Sequence, residues 1–297
     1  RASSSQPAHA YLMRYDGRSF VDMTGSPGLP QAESHDIEIS ADGSLWIATD
    51  AGLVRYDGKN FTAFGKSHGL TEDWAAPFTI VDRRQSYTAL ACGANGSVWV
   101  GGANHLTRFD GQRFQTYPRP AGDILRFGIT KLQTVADGSL WIMPGLWSDF
   151  GVARLSGQTF EIFNRTNGLT DALVHGLGSG ADGETWISTP SGLARFDAEE
   201  KVFRFVPTDN ALALNTVNSI LQDSRKRWWF GGRSGVVCYD GATWSALDER
   251  DGLGNSVDWI EEGADGEMWF GMGTASPLVR YRWLEAALPA PKLTVRI

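Results

Sequence analysis

Six polar residues occupy one fixed position of a repeated pattern, and they are the first candidates for chemistry in this sequence. Each lies eleven residues before a tryptophan; the set is His35, Thr88, Thr130, His175, Asn218 and Asp258. Two positions further on, every copy of the pattern has Ile or Leu. Imidazole, carboxylate, amide and hydroxyl groups can hydrogen-bond a small polar ligand. Polar groups that merely line a solvated channel would give the same column, so both interpretations stay open.

A catalytic interpretation of this column has little further support. His35, His175 and Asp258 could supply a base and a metal-binding group, but any repeat brings equivalent positions together. The sequence has no G-x-S-x-G, H-E-x-x-H or P-loop motif. Cys92 and Cys238 form neither a metal nor a disulfide framework. We predict a protein without a catalytic residue, a metal or a cofactor, with a lyase-type enzyme or a protein-interaction scaffold as the alternatives.

The elements that must position these residues follow from the repeat itself. The stretch at 42–58, DGSLWIATDAGLVRYDG, recurs from residues 95, 137, 182, 225 and 265. Its tryptophans are Trp46, Trp99, Trp141, Trp186, Trp229 and Trp269, at intervals of 53, 42, 45, 43 and 40 residues. Within the first copy, Asp-Gly and Gly turns separate apolar runs at 37–39, 45–47, 53–56 and 61–64. Each unit is therefore predicted to be a four-stranded meander.

Such a meander has two apolar faces and cannot bury both alone, so the units must stack. Closing the stack gives an all-β β-propeller, with the repeated tryptophans packed between blades. Residues 11–20 match only the second half of a unit. Counting this half gives seven RYDG-like elements, which favours seven blades, with six as the alternative.

The pattern D-x-x-G-x-x-W-I-G-T-x-x-G-L-x-R-Y-D resembles the two-component regulator propeller repeat of extracytoplasmic bacterial sensor proteins. The resemblance covers about residues 11–283 and includes Gly-Leu pairs such as Gly69-Leu70. It implies a ligand-sensing propeller over residues 1–287, in the periplasm or otherwise outside the cytoplasm. It also implies that residues 288–297 are a linker or the first strand of a following immunoglobulin-like module. Arg225-Lys226 departs from the pattern, since Asp-Gly is expected there.

Two insertions lead us to predict that a small-molecule ligand binds at the mouth of the axial channel, on the side of the blades that carries both insertions. One adds residues 146–149, including Trp147, between the second and third strands of its unit, and the other enlarges the connection around Trp74. Both connections belong to the same side of a meander, and insertions gathered on one side of a repeat protein commonly mark the binding face. An exposed Trp74 or Trp147 would suit a carbohydrate or another amphipathic small molecule. Burial under their own loops is the alternative.

The composition of the chain limits the classes of molecule that it could bind. The formal net charge is −7 and no basic run is present, which excludes a nucleic-acid surface. No apolar run approaches the roughly 20 residues of a membrane span. The polar start lacks the apolar segment of a signal peptide, so either the signal has been removed or the chain is part of a longer protein. Such a protein could dimerise through other parts.

Overall fold

The computed structural model describes residues 12–70, 89–102, 105–117, 128–145, 151–167, 169, 171–207, 216–254, 256–273 and 278–282. The chain divides into two compact units. The first unit comprises residues 1–134, 138–147 and 153–160, and the second comprises 135–137, 148–152 and 161–297.

The first unit begins with a hairpin of β1 (Met13–Tyr15) and β2 (Phe20–Asp22). Two four-stranded sheets follow, each with strands paired in chain order. Their strands are β3 (Ser34–Ile39), β4 (Leu45–Thr49), β5 (Gly52–Tyr56), β6 (Phe61–Phe64), then β7 (Ala89–Cys92), β8 (Val98–Gly101), β9 (Leu106–Phe109) and β10 (Phe114–Tyr117). The residues of the next sheet are divided between the units; its strands are β11 (Ile129–Thr134), β12 (Leu140–Pro144), β13 (Val152–Ser156) and β14 (Thr159–Phe163).

The second unit continues the same arrangement with two four-stranded sheets and one of three described strands. The first sheet contains β15 (Gly176–Ser179), β16 (Thr185–Thr189), β17 (Gly192–Asp197) and β18 (Val202–Phe205). The others contain β19 (Val217–Gln222), β20 (Trp228–Gly232), β21 (Gly235–Tyr239), β22 (Trp244–Leu247), and β23 (Val257–Glu262), β24 (Met268–Met272), β25 (Leu278–Tyr281). The predicted four-stranded antiparallel meander is thereby confirmed.

The turn between the third and fourth strands is held by its aspartate. Asp57 Oδ1 accepts the backbone N–H groups of Lys59 at 2.8 Å and Asn60 at 2.7 Å, while Gly58 has a φ of +93°. The same aspartate bonds recur in four further sheets, at Asp16, Asp110, Asp197 and Asp240. These short aspartate turns satisfy backbone donors locally, so the repeated Asp-Gly dipeptide serves the scaffold.

The Gly-Leu pairs of the sequence mark the start of the connection between blades. Three short 3-10 helices, Lys66–His68, Arg165–Asn167 and Glu249–Asp251, each precede one pair. Gly69 and Gly252 take left-handed conformations that end their helices. The leucines that follow are buried: the exposed fraction is 4% for Leu70, 1% for Leu169 and 3% for Leu253. The leucine of each pair thus anchors the chain in the core, and Gly69 and Gly252 end the turns before it.

Three of the anchor tryptophans, Trp46, Trp186 and Trp229, pack against the next sheet, as predicted. Trp186 is 1% exposed and lies in a cluster with Val217, Ile220 and Phe230 of the following sheet. Trp46, Trp99, Trp141 and Trp229 are likewise buried. Trp269 is only partly buried. Its sheet is the last one described, and in the other clusters the following sheet supplies the covering side chains.

The departure at Arg225-Lys226 leaves the turn intact because Asp223 compensates for it. The Asp223 side chain is fully buried and accepts bonds from Trp229 Nε1 at 2.8 Å and from Arg227 at 2.7 Å. Lys226 occupies the position that glycine fills elsewhere and has a φ of +63°. A lysine therefore adopts a left-handed conformation that normally favours glycine.

Candidate functional site

Four of the predicted site residues are the extra residues of β-bulges. In the last sheet, Val257 pairs with Met272 and Trp259 pairs with Gly271, which leaves Asp258 without a partner in the ladder. The same shift leaves out His35, Thr130 and Asn218 in the innermost strands β3, β11 and β19. A bulge re-aims a side chain and is over-represented beside active sites. One backbone device therefore sets the position of these polar side chains in four blades.

The bulges also resolve a conflict in the sequence pattern. In a regular strand, a polar residue and the apolar residue two positions later share one face. Five of the apolar residues at that second position are buried, with exposed fractions of 0–3%: Leu90, Leu132, Leu177, Ile220 and Ile260. Because a bulge precedes Leu132, Ile220 and Ile260, the polar side chains at the bulges need not follow these residues into the core. Alternation of polar and apolar residues on one predicted face was the signal that could have revealed the bulges.

In the second unit, the structure brings Asn218 and Asp258 together. Asn218 Nδ2 donates to Asp258 Oδ1 at 3.2 Å, and Ser256 Oγ donates to the same oxygen at 2.6 Å. Both Asn218 and Asp258 are exposed. A Cβ added to Gly273 would lie 3.0 Å from Asp258 Oδ2, so the backbone approaches the carboxylate closely there. The pair presents a solvent-accessible carboxylate in a fixed orientation, which suits hydroxyl or amine donors.

His175 lies immediately before β15 in the same unit. Its backbone N–H donates to Ser188 O at 2.9 Å, which fixes the residue at the edge of the sheet. Its Nδ1 is buried and has no hydrogen-bond partner in the described part of the chain. Burial lowers the pKa of His175, the charge of Arg233 lowers it further, and Asp171 opposes both effects. The imidazole is therefore neutral at neutral pH and can donate or accept a hydrogen bond.

In the first unit, the predicted residues are already engaged within the protein. His35 Nε2 lies 2.6 Å from Asp50 Oδ1, and the His35 side chain is 7% exposed. Thr130 Oγ1 donates to the carbonyl oxygens of Pro144 at 3.0 Å and Met143 at 3.3 Å. These contacts make His35 and Thr130 weaker ligand-binding candidates than the residues of the second unit. Thr88, Trp74 and Trp147 lie outside the described residues.

The position that follows the column residue in an innermost strand has a role that the sequence did not reveal. Asp36 Oδ2 accepts the backbone N–H of Leu90 at 2.7 Å, and Ser219 Oγ accepts that of Ile260 at 3.1 Å. Each bond joins one innermost strand to the next. Burial raises the pKa of Asp36, although the hydrogen bonds from Leu90 and Ile37 oppose this. These side chains stabilise the spacing of neighbouring blades.

Within the described ranges, no cluster of three or more His, Cys, Asp or Glu residues has the geometry of a metal site. The described helices are likewise too short and polar to cross a membrane. The two cysteines, Cys92 and Cys238, are free, and burial raises the pKa of each to about 12. Both thiols are therefore protonated and poorly nucleophilic.

Comparison with known proteins rests on structure, since no protein-family model and no curated protein matches the chain. A streptogramin B lyase is 17% identical with a TM-score of 0.66, over 90% of this chain and 85% of the lyase. The extracellular domain of a protein described as a hybrid two-component system of B. thetaiotaomicron is 18% identical with a TM-score of 0.63. PorZ, a bacterial surface component of the type-IX secretion system of Porphyromonas gingivalis, is 15% identical with a TM-score of 0.67.

These likenesses define the class of fold: an all-β propeller with four-stranded antiparallel blades. The structural neighbours include extracellular domains of two-component sensors, so the resemblance of the repeat to sensor propellers is confirmed at the level of the fold. The alignment with the hybrid sensor domain covers 91% of this chain but 35% of that one, and with PorZ 89% and 42%. The chain thus spans about a third of the sensor ectodomain that it matches.

Proposed function

We propose that this chain is the ligand-binding propeller domain of an extracytoplasmic bacterial signal-transduction protein. The observation that carries the proposal is the set of β-bulges at His35, Thr130, Asn218 and Asp258. A bulge interrupts ladder hydrogen bonds, and four bulges at one position indicate a requirement for the side chain that each re-aims.

Several further features support this proposal. Asn218, Asp258 and His175 provide a donor, an acceptor and a neutral imidazole within one compact unit. Extracellular sensor domains with the same fold support a location outside the cytoplasm. A small ligand, with carbohydrate as one candidate, would bind at His175, Asn218 and Asp258 of the second unit; a role for Trp74 and Trp147 stays a prediction, since both lie outside the described residues. Dimerisation through the parent protein remains a prediction.

The proposal is tested by thermal-shift screening against a panel of oligosaccharides and other small metabolites, followed by calorimetry on any hit. Substituting Asp258 or His175 with Ala should weaken a hit by roughly 1–3 kcal/mol each if the side chain bonds the ligand. The matched control is Asp57→Ala, on the opposite side of the blade. A hit whose affinity falls in Asp57→Ala but is unchanged in Asp258→Ala and His175→Ala would place the site on the side of the Asp-Gly turns and refute the proposed site.

A lyase remains the alternative because a streptogramin B lyase has the same fold over most of its length. A solved structure of virginiamycin B lyase contains quinupristin, which makes this compound the appropriate probe. We expect quinupristin to remain intact after prolonged incubation with the purified protein, as judged by mass spectrometry. Conversion that depends on His175 would replace the sensor proposal with an enzymatic one.

We also propose seven blades, with β1 and β2 as the outer half of one. The hairpin has the same aspartate turn as the complete blades, at Asp16. Ile37 is 39% exposed, whereas its five equivalents are 0–3% exposed. An inner pair of strands beside β1 would cover Ile37.

Hydrogen exchange tests this count. Leu12 and Asp16 bond to the β2 side, so the alternating N–H groups of Met13 and Tyr15 point away from β2. Slow exchange at both amides is expected if a further strand pairs with β1. Exchange as fast as in exposed loops would favour six blades.

A further inference from the structure

Arg233 of the second unit differs from most arginines around it in its lack of an ion pair with any described residue. Arg165, Arg195, Arg204, Arg227, Arg250, Arg280 and Arg282 each have a carboxylate oxygen within 4.0 Å. Arg233 is exposed and makes no ion pair with any described residue. It lies in the two-residue turn between β20 and β21, because Gly232 pairs with Gly235. An exposed guanidinium held on a tight turn is well placed to bind an anion.

The repeat shows where this turn lies relative to the polar column. The equivalent residue in the first complete blade is Asp50, since Thr49 pairs with Gly52 there. Asp50 lies 2.6 Å from His35, the column residue of its own blade. The same backbone relation brings Arg233 near the column residue Asn218.

Contacts between the blades also bring Arg233 near His175. Ser188, whose carbonyl oxygen accepts the His175 N–H, donates its Oγ to Val217 O at 2.6 Å, and Val217 pairs with Gly232, the residue before Arg233. The charge of Arg233 accordingly lowers the pKa of the His175 imidazole.

The two column histidines differ in the residue that the turn provides. His35 has Asp50, whereas the corresponding position in the blade of His175 is Pro190. Proline offers no side-chain hydrogen bond of the kind that Asp50 makes to His35 Nε2. In addition, His175 Nδ1 has no hydrogen-bond partner in the described part of the chain. The nearby Asp171 lies 4.0 Å from Arg165. Among the described residues, the region around His175 therefore combines a guanidinium that makes no ion pair with an imidazole whose Nδ1 neither accepts nor donates a hydrogen bond.

We infer that the ligand carries a carboxylate, bound by Arg233 beside His175, while Asn218 and Asp258 contact its neutral polar groups. This inference rests on the proposed function and specifies its ligand class. A guanidinium binds a carboxylate through two parallel hydrogen bonds, which a neutral hydroxyl group cannot reproduce. Asp258 lies one blade further on and is occupied by Asn218 and Ser256, so it favours hydroxyl donors over a second anion.

The test uses two probes that differ only in the group at one carbon, D-galacturonate and D-galactose. Each is titrated into the protein while the imidazole resonances are followed by NMR; a His175→Gln variant assigns His175 among the five histidines. We expect galacturonate to shift the His175 signals and to bind about tenfold or more tightly than galactose. Arg233→Gln should abolish that preference, and the matched control Arg195→Gln should retain it.

A second readout needs no ligand. Removing the Arg233 charge should raise the pKa of His175, measured in the same NMR experiment, while the melting temperature stays unchanged because the side chain is exposed. An unchanged His175 pKa in Arg233→Gln would overturn the proposed proximity.

The outcomes also separate this inference from the proposed function. If galacturonate fails to perturb His175, or galactose binds equally well, the carboxylate inference is wrong. If a neutral compound from the screening panel nevertheless shifts the NMR signals of His175, the sensor proposal stands without the carboxylate inference. If no compound of the panel binds, both proposals fail.

Discussion

The packing role of the repeated tryptophan makes a quantitative prediction for Trp186→Ala. Trp186 is 1% exposed, and its ring centroid lies 5.3 Å from that of Phe230 and 5.9 Å from that of Trp228. A tryptophan buries roughly 150–250 Å², which at about 25 cal/mol per Å² corresponds to roughly 4–6 kcal/mol. Its Nε1 donates to Glu184 at 3.0 Å, and Glu184 reaches solvent, so the lost hydrogen bond adds little. We expect a loss of about 3–5 kcal/mol in the free energy of unfolding.

The assay is urea denaturation followed by far-ultraviolet circular dichroism, since the chain has twelve tryptophans and fluorescence would mix their signals. The matched control is Trp269→Ala, at the same position of the repeat but only partly buried. This control should lose at least about 1 kcal/mol less, because a smaller apolar area returns to water. Equal losses for the two variants, or a nearly unchanged midpoint for Trp186→Ala, would refute the packing argument.

Three further predictions concern the scaffold. Lys226→Gly should increase the free energy of unfolding by up to about 1 kcal/mol, because glycine adopts the left-handed conformation without steric strain, and this gain outweighs the larger conformational entropy that glycine loses on folding. Gly43→Lys, at the equivalent turn position, should lower the free energy of unfolding in the same urea assay. Hydrogen bonds from Ser40 and Ser44 lower the pKa of Asp42 from 3.8 to about 2. Its contribution to stability is therefore complete above about pH 4 and is lost as the pH falls toward 2, so Asp42→Asn should flatten the pH dependence of the melting temperature in that window, and an unchanged slope would contradict this. Cys92 and Cys238 should resist iodoacetamide at pH 8 in the native protein and react after denaturation, as mass spectrometry would show; rapid native labelling would mean that the thiols are accessible.

Local features of the sequence were sufficient to predict the blade. The tryptophan spacing and the Asp-Gly turns indicated four strands per unit, and the first complete unit has strands at Ser34–Ile39, Leu45–Thr49, Gly52–Tyr56 and Phe61–Phe64. These elements are predictable because turn chemistry and strand periodicity act between neighbouring residues. The same column of positions also identified Asn218 and Asp258 as candidates before their contact was known.

Contacts between blades could not be obtained in this way. The bond between Asn218 and Asp258 joins residues 40 positions apart, and that between Asp36 and Leu90 joins residues 54 apart. The sequence pattern makes His35 and His175 equivalent, although His35 is paired with Asp50, whereas His175 has a buried Nδ1 and its blade has Pro190 at the position of Asp50. Likewise, the six tryptophans are alike in sequence, but Trp269 is less buried than the others.

The sequence by itself determined the repeat, the four-stranded blade and the position of a polar column, because these depend on backbone periodicity and on turns of a few residues. Only the tertiary structure decided which column residues are bulged, which are satisfied by a neighbour and which remain available. Those outcomes depend on the hydrogen-bond register between strands and on side chains contributed by the adjacent blade. A residue's own place in the repeat does not specify its neighbour's side chain, and that neighbour decides whether a polar group is engaged or free to bind.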